Sequence, residues 1–188
     1  MTPLPSITYD SPVGALTLVA GDGGLRAVVW PGVMLDRVGL AGATLTLGNA
    51  PVLRAAAGQL DEYFAGTRTT FDLPLDLHGT AFQLAAWRAL ADIPYGETRT
   101  YAEQAARVGR PAAVRAVGAA NGRNPLSIVL PCHRVVGSGG ALRGFAGGLG
   151  VKAALLELEQ RFSANAEKRW LGCSCSASGP QDGSLLPS

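Results

Sequence analysis

The chain has 188 residues, 47% of them apolar, which suits one domain or two small ones with a packed core and excludes wholesale disorder. No apolar run approaches the ~20 residues of a membrane span, and the opening MTPLPSITYD lacks the basic-then-apolar pattern of a secretory signal, so a cytoplasmic protein is expected. The net charge of +2 hides an asymmetry: residues 1–78 carry four Arg against seven Asp and Glu, and residues 79–165 carry ten Lys and Arg against five, which suggests that the second half meets a polyanion.

The first third reads as strands. ITYDSPVGALTLVAGDGGLRAVVW holds apolar runs broken by the turn signals SPVG and GDGG, which predicts a hairpin or a three-stranded meander. Residues 51–66 read as a helix opened by Pro51 and closed by Gly66, with Leu53, Ala56, Ala57, Leu60 and Phe64 at helical spacing. FDLPLDL alternates like a strand, and Pro74 favours an edge. Composition changes at HGT, so a domain boundary is expected near residue 79, giving domains 1–78 and 79–165.

The second domain reads as mainly helical. Thr80 and Gln83 form a capping-box pair ahead of AFQLAAWRALADI, and Trp87 is expected in the core. Thr100 and Glu103 repeat that pattern ahead of a helix over 101–108. Gly109 supplies a turn, and Pro111 stands in the first turn of a helix reaching about Ala120. Two short helices about a glycine turn make a helix-turn-helix, or equally an ordinary αα-corner. The second helix is rich in small residues around Arg115, so it can approach a partner closely. SIVL reads as a short buried strand, GSGGALRGFAGGLG as a lid over a pocket, and VKAALLELEQRF as a closing helix. Residues 166–188 are small, polar and Gly/Pro-punctuated, and read as a disordered tail.

The three cysteines, Cys132, Cys173 and Cys175, are odd in number and argue against a disulfide framework. Cys173 and Cys175 stand one residue apart, too close for a structural zinc pair, and the only histidines, His78 and His133, lie far from them. Cys132, in SIVLPCHRVVG, is a small buried hydrophobe, a metal ligand or a nucleophile. A nucleophile needs a base. His133 is adjacent, but neighbours in a strand face opposite ways, so a turn at Pro131 or an intervening water is required. A cysteine hydrolase would need His78 instead, which has no motif around it.

PCHRV, preceded by RAVGAANGRNPLSIVL and followed by GFAGG, resembles the O6-alkylguanine-DNA alkyltransferases. The resemblance covers about residues 79–162 and extends more loosely to YDSPVGALTLVA. It implies an α+β fold: an N-terminal α/β domain with a small antiparallel sheet, then a mainly helical domain with a helix-turn-helix. It implies irreversible, stoichiometric transfer of an alkyl group from O6-alkylguanine, and possibly from O4-methylthymine, in double-stranded DNA to Cys132. The DNA is bound by its minor groove with base flipping, by a monomer without cofactor or metal. Carried onto this sequence, His133 removes the thiol proton through a water and Glu159 orients His133. Asn124 ties the active-site turn, Tyr101 helps protonate the leaving guanine, and Arg115 takes the extruded base's place in the duplex. Ala112, Ala113, Ala116 and Ser138 complete the DNA surface. Pro125, Val135, Phe145, Ala146 and Gly147 line the alkyl pocket. Phe145 departs from the family's usual tyrosine, which keeps the aromatic wall and loses a hydroxyl. Residues 1–131 contain no cysteine, so the zinc ligands of some relatives are absent. Two other classes share parts of this pattern. A damage binder of the same fold lacks the cysteine that is intact here. A transcriptional regulator needs base-reading side chains where the second helix offers mainly alanines.

Overall fold

A computed structural model describes the backbone of residues 3–171 and the side chains of residues 3–163. The predicted meander forms as β1 (Leu4–Ser11), β2 (Gly14–Gly21) and β3 (Gly24–Val29), antiparallel throughout. A fourth strand, β4 (Leu45–Leu47), pairs parallel to β1 and makes the sheet mixed, in the order β3-β2-β1-β4. Three residues are too short to show alternation, so β4 carried no sequence signal. FDLPLDL, expected as a strand, pairs with β3 through a single bridge, Leu25 to Leu75. Pro74 has no N–H to extend a ladder; its carbonyl accepts from the amide of Leu25 instead, at 2.8 Å.

The period-two pattern of β2 serves two cores. Leu16, Leu18 and Ala20 face the main core, while Val19 packs with Ala27, Val29, Val38 and Leu40 on the other face. Helix α1 (Pro51–Phe64) covers the main face and buries Leu53, Ala56, Leu60 and Tyr63. The same core continues without a break into the second half, through Trp87, Leu90, Leu126, Ile128, Val135 and Leu155. Residue 79 therefore marks a change of composition within one packed interior.

Helices α2 (Ala81–Arg88) and α3 (Tyr101–Arg107) both start on reciprocal capping boxes, Thr80 with Gln83 and Thr100 with Glu103. After Gly109, at φ +71°, the chain enters α4 (Val114–Asn121). Pro111 and Ala112, expected inside that helix, form a separate turn closed by the bond from the Ala113 amide to the Arg110 carbonyl. Buried polar groups fix how these helices meet. The amides of Gln104 and Asn121 donate to each other at 3.1 and 2.7 Å, and the Trp87 indole donates to the Ala120 carbonyl at 2.8 Å. A two-stranded parallel ladder, β5 (Arg99–Thr100) with β6 (Val135–Val136), ties the start of α3 to the segment after Cys132.

The last helix, α5, runs Leu149–Leu171. It continues past the expected end near Phe162 into the segment expected to be disordered. The rest of that segment, with Cys173 and Cys175, lies outside the described residues. No helix among the described residues is long and apolar enough to cross a membrane.

Leu60 is fully buried between α1 and the sheet. Leu60→Ala is expected to cost about 2–5 kcal/mol of unfolding free energy, read from urea denaturation midpoints.

Candidate active site

Every residue from Asn124 to Val136 is buried. Ser127–Leu130, expected as a strand, forms a tight turn. Asn124 makes the turn: its Nδ2 donates to the Leu130 carbonyl at 2.7 Å and its Oδ1 accepts from the Leu126 amide at 3.0 Å. Between these two anchors Ile128 sits at φ +71°, the only non-glycine among the described residues in the left-handed region. Such a conformation costs on the order of 1–3 kcal/mol and persists only where the surroundings over-determine it.

Pro131 then leads into a 3-10 turn, Cys132–Arg134, rather than a strand. The turn removes the alternation that would have separated Cys132 from His133. Its carbonyl-bonded amides and the Val28-to-Pro125 bond at 2.8 Å hold it under the first sheet. Cys132 is free, buried and 7% exposed.

His133 has no exposed surface, and its Nε2 lies 2.8 Å from Oε1 of Glu159 on α5. Glu159 is equally buried and accepts four further hydrogen bonds. Tyr63 of α1 donates to Oε1 at 2.7 Å, Arg134 to Oε1 at 3.0 Å and to Oε2 at 2.9 Å, and the Gly96 amide to Oε2 at 3.0 Å. Burial alone pushes the Glu159 carboxyl up. The hydrogen bonds from His133 and Arg134 and the charge of Arg134 outweigh it and hold the group at about 2. An ionised carboxylate accepts only, so the imidazole proton lies on Nε2. That leaves Nδ1 a lone pair, buried and without a partner among the described residues. Burial holds His133 below the ordinary imidazole range, against the pull of Glu159, so it is neutral at pH 7. Burial likewise raises the Cys132 thiol, although the Asn124 side chain and the Lys152 charge draw it down. A thiol beside a neutral imidazole is a pair that needs proton transfer to act.

Three residues of the site were missed in the sequence. Tyr63 and Arg134 meet Glu159. Lys152, fully buried, donates to the carbonyls of Val135 at 2.5 Å and Arg143 at 2.8 Å, and so clips the glycine-rich segment to β6. Lys152 and Glu159 were discoverable together: opposite charges seven residues apart, two helical turns, inside the apolar stripe of α5. Arg134 had only its place beside His133, and Tyr63 only its place on the buried face of α1.

Tyr101, half-buried at the start of α3, donates to the same Arg143 carbonyl at 3.2 Å. Burial and the nearby Cys132 raise its phenol, which stays protonated. Arg115 and Ala116 are exposed on α4, Ala112 on the turn before it, and Ala113 is half-buried there. Arg115, Val114, Tyr101, Ser138 and Arg143 border an open cleft of about 620 Å³, and no acidic side chain lines it among the described residues. Pro125 and Val135 are buried, while Phe145, Ala146 and Gly147 are half-buried along the lid. The Phe145 ring stands 6.3 Å from the His133 ring and 5.5 Å, edge to face, from Trp30 of the first sheet. Gly147 is required by closeness, since a Cβ there would meet the Trp30 indole at 2.8 Å. No group of three or more His, Cys, Asp or Glu that could hold a metal occurs among the described residues.

Comparison with known proteins gives one consistent result. Residues 6–77 match the family model of the 6-O-methylguanine DNA methyltransferase, ribonuclease-like domain, and residues 81–161 match that of its DNA binding domain. A methylated-DNA–protein-cysteine methyltransferase of Mycolicibacterium paratuberculosis is 49% identical over 156 residues, 83% of this chain and 92% of that one. Another from Methanosarcina barkeri is 45% identical over 80% of this chain and 94% of its own. A solved structure of Mycobacterium tuberculosis OGT in complex with DNA superposes with a TM-score of 0.71 at 48% identity, covering 86% of this chain and 94% of that one.

Glu159 ionises at about 2 in the fold and near 4.5 when free. Folding therefore favours its charged form. That stabilisation is complete above about pH 4.5 and drains away as pH falls toward 2. Glu159→Gln is expected to lose about 3–5 kcal/mol at pH 7, because Arg134 is left buried and unpaired. It is also expected to flatten the pH 4.5-to-2 decline, both read from urea denaturation at stepped pH.

Proposed function

The chain belongs to the 6-O-methylguanine DNA methyltransferase family, and we propose that its repair of DNA runs through Sγ of Cys132, which attacks the alkyl carbon on O6 of a damaged guanine. The S–C bond forms as the C–O bond breaks. His133 accepts the thiol proton at Nδ1 through one water, and Glu159 holds the imidazole in the tautomer that leaves this lone pair free. Tyr101 helps protonate the departing guanine and regains its proton through solvent from the His133 imidazolium, so that the proton lost by the thiol is balanced by one gained on the base. Asn124 fixes the turn that presents Sγ. The observation that carries this reading is the buried thiol one residue from an imidazole whose proton is committed to an ionised carboxylate.

The product is a thioether, which water does not cleave under these conditions, so each molecule acts once. The reaction needs no cofactor. The alkyl group lies inside the base stack, so the nucleotide must be extruded, at a cost of a few kcal/mol. Arg115 enters the duplex in its place. Ala112, Ala113, Ala116 and Ser138 allow close approach along the minor groove, where sequence readout is poor and a lesion in any context is accessible. The exposure of Ala112, Arg115, Ala116 and Ser138, with Arg115 and Ser138 on a cleft that no acidic side chain lines among the described residues, supports this assignment. Phe145 with Pro125, Val135, Ala146 and Gly147 walls the alkyl pocket. The protein acts as a monomer in the cytoplasm, with domains 1–78 and 79–165 sharing one core.

Intact-protein mass after mixing with a duplex carrying one O6-methylguanine is expected to rise by one methyl. Peptide mapping should place it on Cys132. Lesion-dependent binding with no mass change would remove the transfer reading. Cys132→Ala is expected to bind the lesion and transfer nothing. Arg115→Ala is expected to slow repair in duplex at least tenfold while leaving transfer from free O6-benzylguanine within about twofold, as extrusion costs of a few kcal/mol allow; equal losses on both substrates would remove the extrusion role.

A further inference from the structure

The Cys132 mechanism proposed above needs His133 neutral, yet the imidazole sits 2.8 Å from a buried carboxylate. An isolated carboxylate in that position would favour an imidazolium, since opposite charges at short range in a dry interior stabilise each other. An imidazolium carries protons on both nitrogens and cannot take another. Something must absorb the charge of Glu159 without taking the place of His133.

We propose that Arg134 is a positioning residue that neutralises Glu159 and thereby keeps His133 uncharged, with its proton on Nε2 and its Nδ1 lone pair available. The geometry is specific. Arg134 meets both carboxylate oxygens, Nε to Oε2 at 2.9 Å and Nη2 to Oε1 at 3.0 Å. Its remaining nitrogen, Nη1, donates to the Ile93 carbonyl at 2.6 Å, and the guanidinium lies 5.6 Å from the centre of the Tyr95 ring. The fork is thus held on three sides, and it shares Oε1 with His133 while its Nε takes Oε2, so both side chains bond the carboxylate at once. Carboxylate and guanidinium together carry no net charge, and the imidazole meets a neutral pair.

The other groups around His133 do not supply this function. Lys152 on α5 is a second cation, but its Nζ is bonded to the Val135 and Arg143 carbonyls and does not touch the carboxylate. Tyr63 on α1 donates to Oε1 but is uncharged, and burial pushes its phenol further from ionising. Tyr95, before β5, is pushed up to about 12 by burial and stays neutral. Cys132 is a thiol until the reaction begins, and Phe145 presents an apolar ring. Among the described residues Arg134 is therefore the one cation in direct contact with the anion that polarises the base. Adjacent positions in the 3-10 turn let both side chains reach a single acceptor on α5.

Only two histidines are present, His78 exposed and His133 buried, so imidazole nitrogen shifts can be followed directly in the full chain labelled with 15N-histidine. His78→Gln assigns them. In the parent protein His133 is expected to remain a neutral Nε2–H tautomer from pH 9 to below pH 6. Arg134→Lys, which keeps the charge, should retain that state. Arg134→Met should raise the His133 titration by at least one pH unit. It should also lower transfer from O6-benzylguanine at pH 7 at least tenfold, with recovery toward pH 9. The double variant Arg134→Met, Glu159→Gln removes the anion as well and should return His133 to neutrality. An unchanged His133 titration in Arg134→Met overturns the proposal. So does an imidazolium at pH 7 in the parent protein, a result that decides the matter even if Arg134→Met does not fold. A shifted titration with an unshifted rate profile would uphold the role of Arg134 and overturn instead the assignment of His133 as base.

Discussion

One buried carboxylate organises this protein. Glu159 collects five hydrogen bonds from four residues in three parts of the chain: Tyr63 in α1, Gly96 before β5, and His133 and Arg134 in the 3-10 turn. Removing a charge from water is costly, and a buried ion pair adds little to stability over an apolar replacement of the same shape. What it adds is specificity, because the cost is offset only when every donor is in place. The distance between α5 and the Cys132 turn, the rotamer of His133 and the seating of α1 are all settled by one acceptor.

The remaining anchors follow the same logic around Cys132. Asn124 uses both ends of its amide to close a turn that places Ile128 in a conformation normally left to glycine. Lys152 holds the glycine-rich segment at Arg143, and Tyr101 bonds the same carbonyl from the other side. A segment so rich in glycine would otherwise have many conformations to lose. Two donors on one carbonyl restrict it at Arg143.

The N-terminal half is part of this machinery. Tyr63 reaches the carboxylate, Trp30 supports Phe145 and sits beneath Gly147, and β3 bonds the chain at Pro125. Its acidic balance suits a half that stands behind the reactive face, while the basic half presents Arg115 and Arg143 at the open cleft. Sequence composition divides the chain near residue 79, but packing does not, since one core runs through both halves.

Short-range chemistry was legible in the sequence. The meander, α1, both capping boxes, the glycine turn and the core position of Trp87 depend on neighbours a few residues apart, and each is found. The motif around PCHRV gave the family, because a long ungapped pattern records an entire site. Other features depended on partners distant in the chain. β4 exists because β1 offers an edge, SIVL turns because Asn124 grips it, and Tyr63 matters because α5 brings Glu159 to it across 96 residues. A tyrosine on an apolar helix face looks the same whether it packs or donates, and an arginine beside a histidine looks the same whether it meets solvent or a buried anion. The sequence by itself marked Cys132, His133, Asn124 and Glu159 as candidates; only the tertiary structure decided which of their atoms are charged, since that depends on burial and on partners that no local window contains.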